Sequence, residues 1–263
     1  MLSRTLSAAY DRPVLVVNVA GAGTSIAAAR VAVAAPDGHT FGLTLAAAHT
    51  YDPHTGFVPY KFDDFAYVAG IAQFMPVLAA RADAPFHSFA ELIDYAKRKG
   101  AVTYASLMPL DRVLLQAAGR QAHAKIIPVP GNGGAGIRWA LYGSHVDFAF
   151  FGGDYHEDVA AGKLRLLASL GERRLEDFPE VPTLRELGYP LTMLNAIVIV
   201  APRHTPPDVV SRMARELHAA VSTREFQDLI RNRLRMLPLF WGPQEVTDEL
   251  HAQYEAFDVS TAQ

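Results

Sequence analysis

The chain has no cysteine, which excludes a disulfide framework, a thiol nucleophile and any Cys-ligated metal. It carries little charge: charged residues are 19% of its 263, and the formal net charge is −3. A nucleic-acid binder usually shows a basic excess, and none is present. No uninterrupted apolar run approaches the ~18 residues of a membrane-spanning helix. The longest runs, such as Ala196 to Ala201, are strand-sized. There is no G-x-S-x-G, and no pair of histidines falls at metal-ligand spacing, so no catalytic constellation stands out. Internal repeats and low-complexity linkers are missing as well.

What is present is a large apolar share, half of all residues. At this length that is enough for two modest α/β lobes, each with its own core. The most informative stretch runs from Val14 to Leu45. Val14 to Val17 is a short continuous apolar run, the pattern of a strand buried on both faces. Gly21 and Gly23 permit a tight turn that presents backbone N–H groups. Thr24 or Ser25 is placed to cap an Ala-rich helix ending near Ala35. Pro36-Asp37-Gly38 then stops that helix, and Thr40 to Leu45 resumes as a strand. Strand, glycine loop and helix start together form an anion cradle, because unpaired N–H groups converge there. A dinucleotide fingerprint needs a third glycine where Ile26 stands, and the Gly-Lys-Ser/Thr of a Walker loop is absent.

Further along, strand-like and helix-like segments alternate, which predicts parallel α/β sheets. Ser88 and Glu91 have capping-box spacing, and their helix closes on Lys97, Arg98, Lys99 and Gly100. Val102 to Ser106 reads as a strand, followed by a helix over Arg112 to His123. Ile126 to Val129 is the next strand and leads into a second glycine-rich loop, PGNGGAG, before a helix from Ile137 to Tyr142. Pro206-Pro207 opens a helix whose Val209, Val210, Met213 and Leu217 share one face. Helical patterns also cover Phe226 to Leu234 and Glu245 to Phe257. Asp154, His156, Glu157 and Asp158 cluster, but acids at a helix start are expected from the macrodipole, and no metal is assigned. Arg224, Arg231, Arg233 and Arg235 read as a solvated helix face.

The wording of two motifs resembles the solute receptors of tripartite tricarboxylate transporters, the Bug receptors. The first is Val17-Asn18-Val19-Ala20-Gly21-Ala22-Gly23-Thr24, against a family pattern of roughly V-x-N-x-x-G-A-G-G. The residue, usually Glu, that the family places between the valine and the asparagine is missing here. The second is Ala35-Pro36-Asp37-Gly38-His39-Thr40-Phe41, against A-x-P-D-G-Y-T-L. Together the two are specific, and the likeness continues almost to the C-terminus. Tyr60, Phe62, Asp64 and Phe65 fall on Y-D-x-x-x-D-F, and Pro76 to Ala80 on an extended segment crossing between lobes. Gly143 to Phe148 falls on G-G-Q-V-D-L, Gly162 to Ala168 on G-K-L-R-x-L-A, and Pro179 to Thr183 on P-x-V-P-T.

The resemblance implies a two-lobed, type II periplasmic-binding-protein-like α/β fold. One lobe would hold residues 1–80 with 201–263, the other 81–200. It implies a non-enzymatic periplasmic receptor without cofactor that captures a small carboxylated solute in an interlobe cleft. Its partners would be that solute and the membrane components of the transporter, with no nucleic acid and no membrane insertion. The ligand-binding candidates are Gly21, Ala22, Gly23, Thr24 and Ser25, then Ala47, Ala48 and His49, Ser106 and Arg112, Gly131, Asn132, Gly133 and Gly134, and Gly153 and Asp154. Backbone N–H groups there would hold a carboxylate without a fixed countercharge. His49 reads equally as a ligand donor or as a structural histidine bonded to its own loop.

Where the family has A-S-x-G-x-G-T/S, this chain has Ala105-Ser106 followed by Leu107-Met108-Pro109-Leu110-Asp111-Arg112. Pro109 removes a donor and the three apolar residues add bulk. Arg112 either supplies a bidentate carboxylate contact or pairs with Asp111. Residues 1–13, MLSRTLSAAYDRP, lack an apolar signal core and read as an amphipathic helix that comes second in the family. The expectation is a longer exported receptor, or a decayed copy, without the strand that would lie between Val14–Val17 and Thr40–Leu45. Two other readings stay open: a phosphate- or nucleotide-binding α/β enzyme using the first cradle, and a degenerate homologue that binds no solute.

Overall fold

The computed structural model describes residues 1–131, 133–193 and 195–261. In chain order the elements begin with α1 (Leu2–Tyr10), α2 (Ser25–Ala32), β1 (Gly42–Leu45), α3 (Ala47–Thr50) and β2 (Phe65–Gln73). There follow β3 (Val77–Arg81), α4 (Phe89–Lys99), β4 (Val102–Ser106), α5 (Pro109–Ala122), β5 (Ile126–Pro130) and α6 (Gly133–Tyr142). The chain continues through β6 (Phe148–Phe151), α7 (His156–Ala160), β7 (Leu164–Ser169) and β8 (Ala196–Pro202). It ends with α8 (Pro207–Val221), α9 (Arg224–Asp228), β9 (Leu237–Trp241) and α10 (Pro243–Thr261).

These elements form two compact units, Met1–Gln73 with Asn195–Gln263, and Phe74–Leu194. The first holds a four-stranded sheet in the order β1-β8-β2-β9, every pair antiparallel. The second holds a five-stranded sheet in the order β5-β4-β6-β3-β7. There β5, β4 and β6 run parallel, while β3 is antiparallel to β6 and β7. The expected all-parallel sheets are thus corrected: β3 runs antiparallel to both β6 and β7, and β8 antiparallel to both β1 and β2, so an antiparallel strand interrupts each sheet. Pro76 to Ala80 is no bridging segment either: from Val77 on it is β3, hydrogen-bonded on both sides within the second unit. By the same criterion all of β8 lies in the first unit.

The apolar periodicity explains which faces are covered. In β8, Ala196, Val198 and Val200 point to one side and join Ala28 and Val31 of α2 with Val246 and Leu250 of α10 in one cluster. Helix α8 buries Val210, Met213, Ala214, Leu217 and Val221, a helical stripe, and packs on β2. The bare backbone of Gly70 in β2 is needed by the ring of Trp241, whose Cε3 would lie 2.4 Å from a Cβ there. In α4 the Ser88 hydroxyl accepts from the Glu91 N–H at 3.2 Å, while the Glu91 carboxylate accepts from His87 rather than closing the box on Ser88.

The main correction concerns Val14 to Val17. The segment lies outside every strand, and Leu15, Val16 and Val17 are 84%, 69% and 74% exposed. An apolar run is buried as a strand only when neighbours pair with it and cover both faces. Among the described residues, the outer edge of β1 pairs with no strand. Val16→Lys should therefore change stability by no more than about 0.5 kcal/mol. Val198→Ala, in the core, should cost roughly 2 kcal/mol. Urea denaturation measures both, and a large loss for Val16→Lys would restore the buried strand.

Candidate functional site

In the first unit the backbone from Gly21 to Thr24 is left-handed at four consecutive residues, with φ of 125°, 46°, 58° and 80°. Two of the four, Ala22 and Thr24, carry a Cβ and pay about 1–2 kcal/mol each for that conformation. Something must hold the turn, and one anchor is a hydrogen bond from the Leu45 N–H to Thr24 Oγ1, 2.9 Å. It ties the loop to the end of β1 and consumes the hydroxyl expected to cap α2. Ser25 does not cap the helix either, since its hydroxyl donates to the Asp52 carboxylate. Burial raises the Asp52 carboxyl above the ordinary range, with the Ser25 bond opposing.

Directly after β1, the His49 and Thr50 N–H groups both donate to Ala46 O, at 2.9 and 3.0 Å. Ala47 and Ala48 open this turn, where helical geometry leaves the first N–H groups without intrahelical acceptors. Tyr60 OH donates to Ala48 O at 2.8 Å and fixes the turn from below. The structure thus brings Gly21–Ser25 and Ala46–Thr50 together within one unit.

His49 is resolved in favour of the structural role. Its ring is fully buried, with Nε2 2.8 Å from Thr44 Oγ1 and its face met edge-on by Phe65 and Tyr67. Burial pushes its pKa down to about 3, so the ring is neutral. A side chain sealed among aromatics cannot present a donor to a solute.

In the second unit, β5, β4 and β6 are parallel, so the loops that follow them gather at one end of the sheet. The Gly131 N–H donates to Ser106 O at 2.8 Å. A Cβ on Gly152 would stand 3.8 Å from Leu107 Cδ2 and 3.9 Å from Phe74 Cδ1. One on Gly134 would stand 3.1 Å from Asp154 Oδ2. Gly133 and Gly134 are not loop residues, as expected, but the first turn of α6. The Gly153 carbonyl lies 3.2 Å from His156 Nδ1. Asn132 lies outside the described residues.

Asp154 is already paired: Arg138 Nη1 reaches its Oδ2 at 2.7 Å, while Nε reaches Asp158 at 2.8 Å. The acidic cluster here is a guanidinium clamp, and a carboxylate so placed has no donor to offer a carboxylated ligand. Among the described residues no group of three His, Asp or Glu forms a metal site.

The departure at 107–112 has a definite structure. Asp111 is fully buried, and its Oδ2 accepts from the N–H groups of Leu107 and Met108 at 2.7 and 2.8 Å. Its Oδ1 accepts from Tyr104 OH at 2.9 Å. Burial raises this carboxyl above the ordinary range, against the pull of those donors. Arg112 does not pair with Asp111; its Nε donates instead to Ser106 Oγ at 2.8 Å. Neither the role of Asp111 nor that of Phe74 was anticipated. Asp111 could have been found, since an acid three residues after Met108 with Pro109 between is a helix-start signal.

Residues 1–243 match the family described as the tripartite tricarboxylate transporter family receptor. Protein BugT of Bordetella pertussis is 30% identical over 251 residues, covering 85% of this chain and 71% of BugT. A Rhodopseudomonas palustris protein solved with adipate superposes with a TM-score of 0.82 at 22% identity, over 99% of this chain and 89% of its own. MatC from Rhodopseudomonas palustris, solved with bound malate, gives a TM-score of 0.78 at 21% identity, over 98% and 91%.

The burial of His49 has a measurable consequence. The folded imidazole stays neutral to about pH 3, while the unfolded one protonates near its ordinary 6.5. Its stabilising contribution is complete above pH 6.5 and is lost as pH falls through that window, by about 1.4 kcal/mol per pH unit. Denaturation at several pH values should show this slope, and His49→Gln should remove it. An NMR titration in which His49 protonates near pH 6.5 in the folded protein would contradict the burial.

Proposed function

The chain belongs to the tripartite tricarboxylate transporter receptor family, and on that premise we propose that it captures a small carboxylated organic solute through the strand-end loops of its two units. The family and the two-lobed, type II periplasmic-binding-protein-like α/β fold are those of solute-binding receptors. The observation that carries the reading is the left-handed run Gly21–Thr24 tied to the end of β1. A strained backbone persists only where its surroundings over-determine it, and such turns direct successive N–H groups to one side. A carboxylate, such as those the two R. palustris proteins were solved with, is the natural acceptor for such a cradle.

The proposed working place is the periplasm, and the proposed partners are the membrane components of a tripartite transporter. Among the described residues no helix is long and apolar enough to cross a membrane. No catalysis is proposed. The competing nucleotide-binding reading lacks the third glycine, at Ile26, and the P-loop lysine.

Gly23 and Gly133 test the loops of the two units. Both have positive φ, 58° and 69°, and a Cβ on either would meet open space. Gly23→Val and Gly133→Val should each lower stability by about 1–2 kcal/mol while leaving a folded chain. Each should weaken carboxylate binding by about tenfold or more, because the added bulk stands where a solute would approach the backbone. Calorimetric titration with malate, adipate, ATP and NAD reads this out. Binding of a nucleotide alone would favour the enzyme reading. Unchanged carboxylate affinity in both variants would remove these loops from the site.

A further inference from the structure

The second unit has already filled one of its own anion-binding positions. Both N–H groups that a solute carboxylate would seek before α5, those of Leu107 and Met108, point at Oδ2 of Asp111. The third donor there, Tyr104 OH, is taken by Oδ1. Pro109 has no N–H to give. A second carboxylate brought to this turn would meet no free donor and a fixed like charge at bonding distance.

Two features remain beside it. The Arg112 guanidinium is oriented by the bond from its Nε to Ser106 Oγ, 2.8 Å, and its Nη groups have no partner among the described residues. Next in the chain to Ser106, the Leu107 side chain converges with that of Phe74 over the bare Cα of Gly152, at 3.8 and 3.9 Å from where a Cβ would stand. Both side chains and Gly152 are only partly buried. The guanidinium fork is thus held by the hydroxyl of Ser106, the residue preceding one half of a half-wetted apolar wall with a glycine floor.

We infer that this loop cluster selects a monocarboxylate with an apolar body, its carboxylate on Arg112 and its body against Leu107 and Phe74 over Gly152, in preference to a dicarboxylate. The inference rests on the receptor reading above and narrows its solute class. Arg112 serves as a bidentate clamp, a task that needs the planar fork. The apolar wall rewards burial of an alkyl or aryl body and gives nothing to a second charged end, whose desolvation there would go unpaired.

Hexanoate and adipate share a six-carbon chain and differ by one carboxylate, so they isolate the point. Calorimetric titration of the full chain with hexanoate, 3-phenylpropionate, adipate and malate should rank the two monocarboxylates tighter than either diacid by about tenfold or more. Leu107→Ser and Arg112→Gln should each weaken hexanoate by about five- to tenfold, with melting temperatures confirming the fold. Arg112→Lys should recover only part of that loss. Adipate binding tighter than hexanoate overturns the inference and leaves the receptor reading standing, as does hexanoate binding unchanged by both Leu107→Ser and Arg112→Gln. Failure of all four acids to bind overturns the receptor reading with it.

Discussion

Every backbone N–H that a strand end leaves unpaired must find an acceptor, and the loops of this protein are arranged around that demand. At the end of β1 the Leu45 N–H is met by Thr24 Oγ1, and this single bond helps hold Gly21–Thr24 in a conformation two of its residues would not choose. At the end of β4 the N–H groups of Leu107 and Met108 are met from within by the Asp111 carboxylate. At the end of β5 the Gly131 N–H is met by Ser106 O, which stitches adjacent loops together. We read the first loop as a cradle for an outside anion; the second is closed by an inside one. That difference, more than the shape of either sheet, sets what each unit can offer a solute.

The charged groups follow the same logic. Arg138 is spent on Asp154 and Asp158, and buried His49 stays neutral. Arg112 is held by a hydroxyl, and its Nη groups have no partner among the described residues. A guanidinium oriented by a neutral partner retains its full attraction for a carboxylate, whereas one clamped between two acids does not. On the proposed reading the site selects through the donors its own side chains have left open.

Much of this was legible in the residues, and the failures have physical causes. Gly21, Gly23 and Pro36-Asp37-Gly38 were readable because turns impose local backbone demands that few residues meet. The stripe on α8 was readable because one helix face carries the whole apolar pattern. Val14 to Val17 misled because an apolar run records a capacity for burial, and pairing depends on neighbours distant in sequence. The antiparallel placement of β3 and β8 was invisible for the same reason. His49 was ambiguous because its environment is Phe65 and Tyr67, many residues away. Of the two readings of Arg112, the pairing with Asp111 fails because adjacency in sequence is a poor guide at a helix start, where residues i and i+3 meet.

The central claim is that backbone N–H groups of the strand-end loops, together with the Arg112 guanidinium, hold the solute's carboxylate. Amide hydrogen exchange, with and without a saturating carboxylate, tests it most directly, because it reads those N–H groups themselves. The account predicts slower exchange on binding at Gly21 to Gly23 in the first unit and at Gly133 and Gly134 in the second, whose N–H groups are not among those already bonded within the loops. Leu107 and Met108, already bonded to Asp111, should change little. Protection confined to other surfaces, or a saturated protein whose strand-end loops exchange as before, would contradict it.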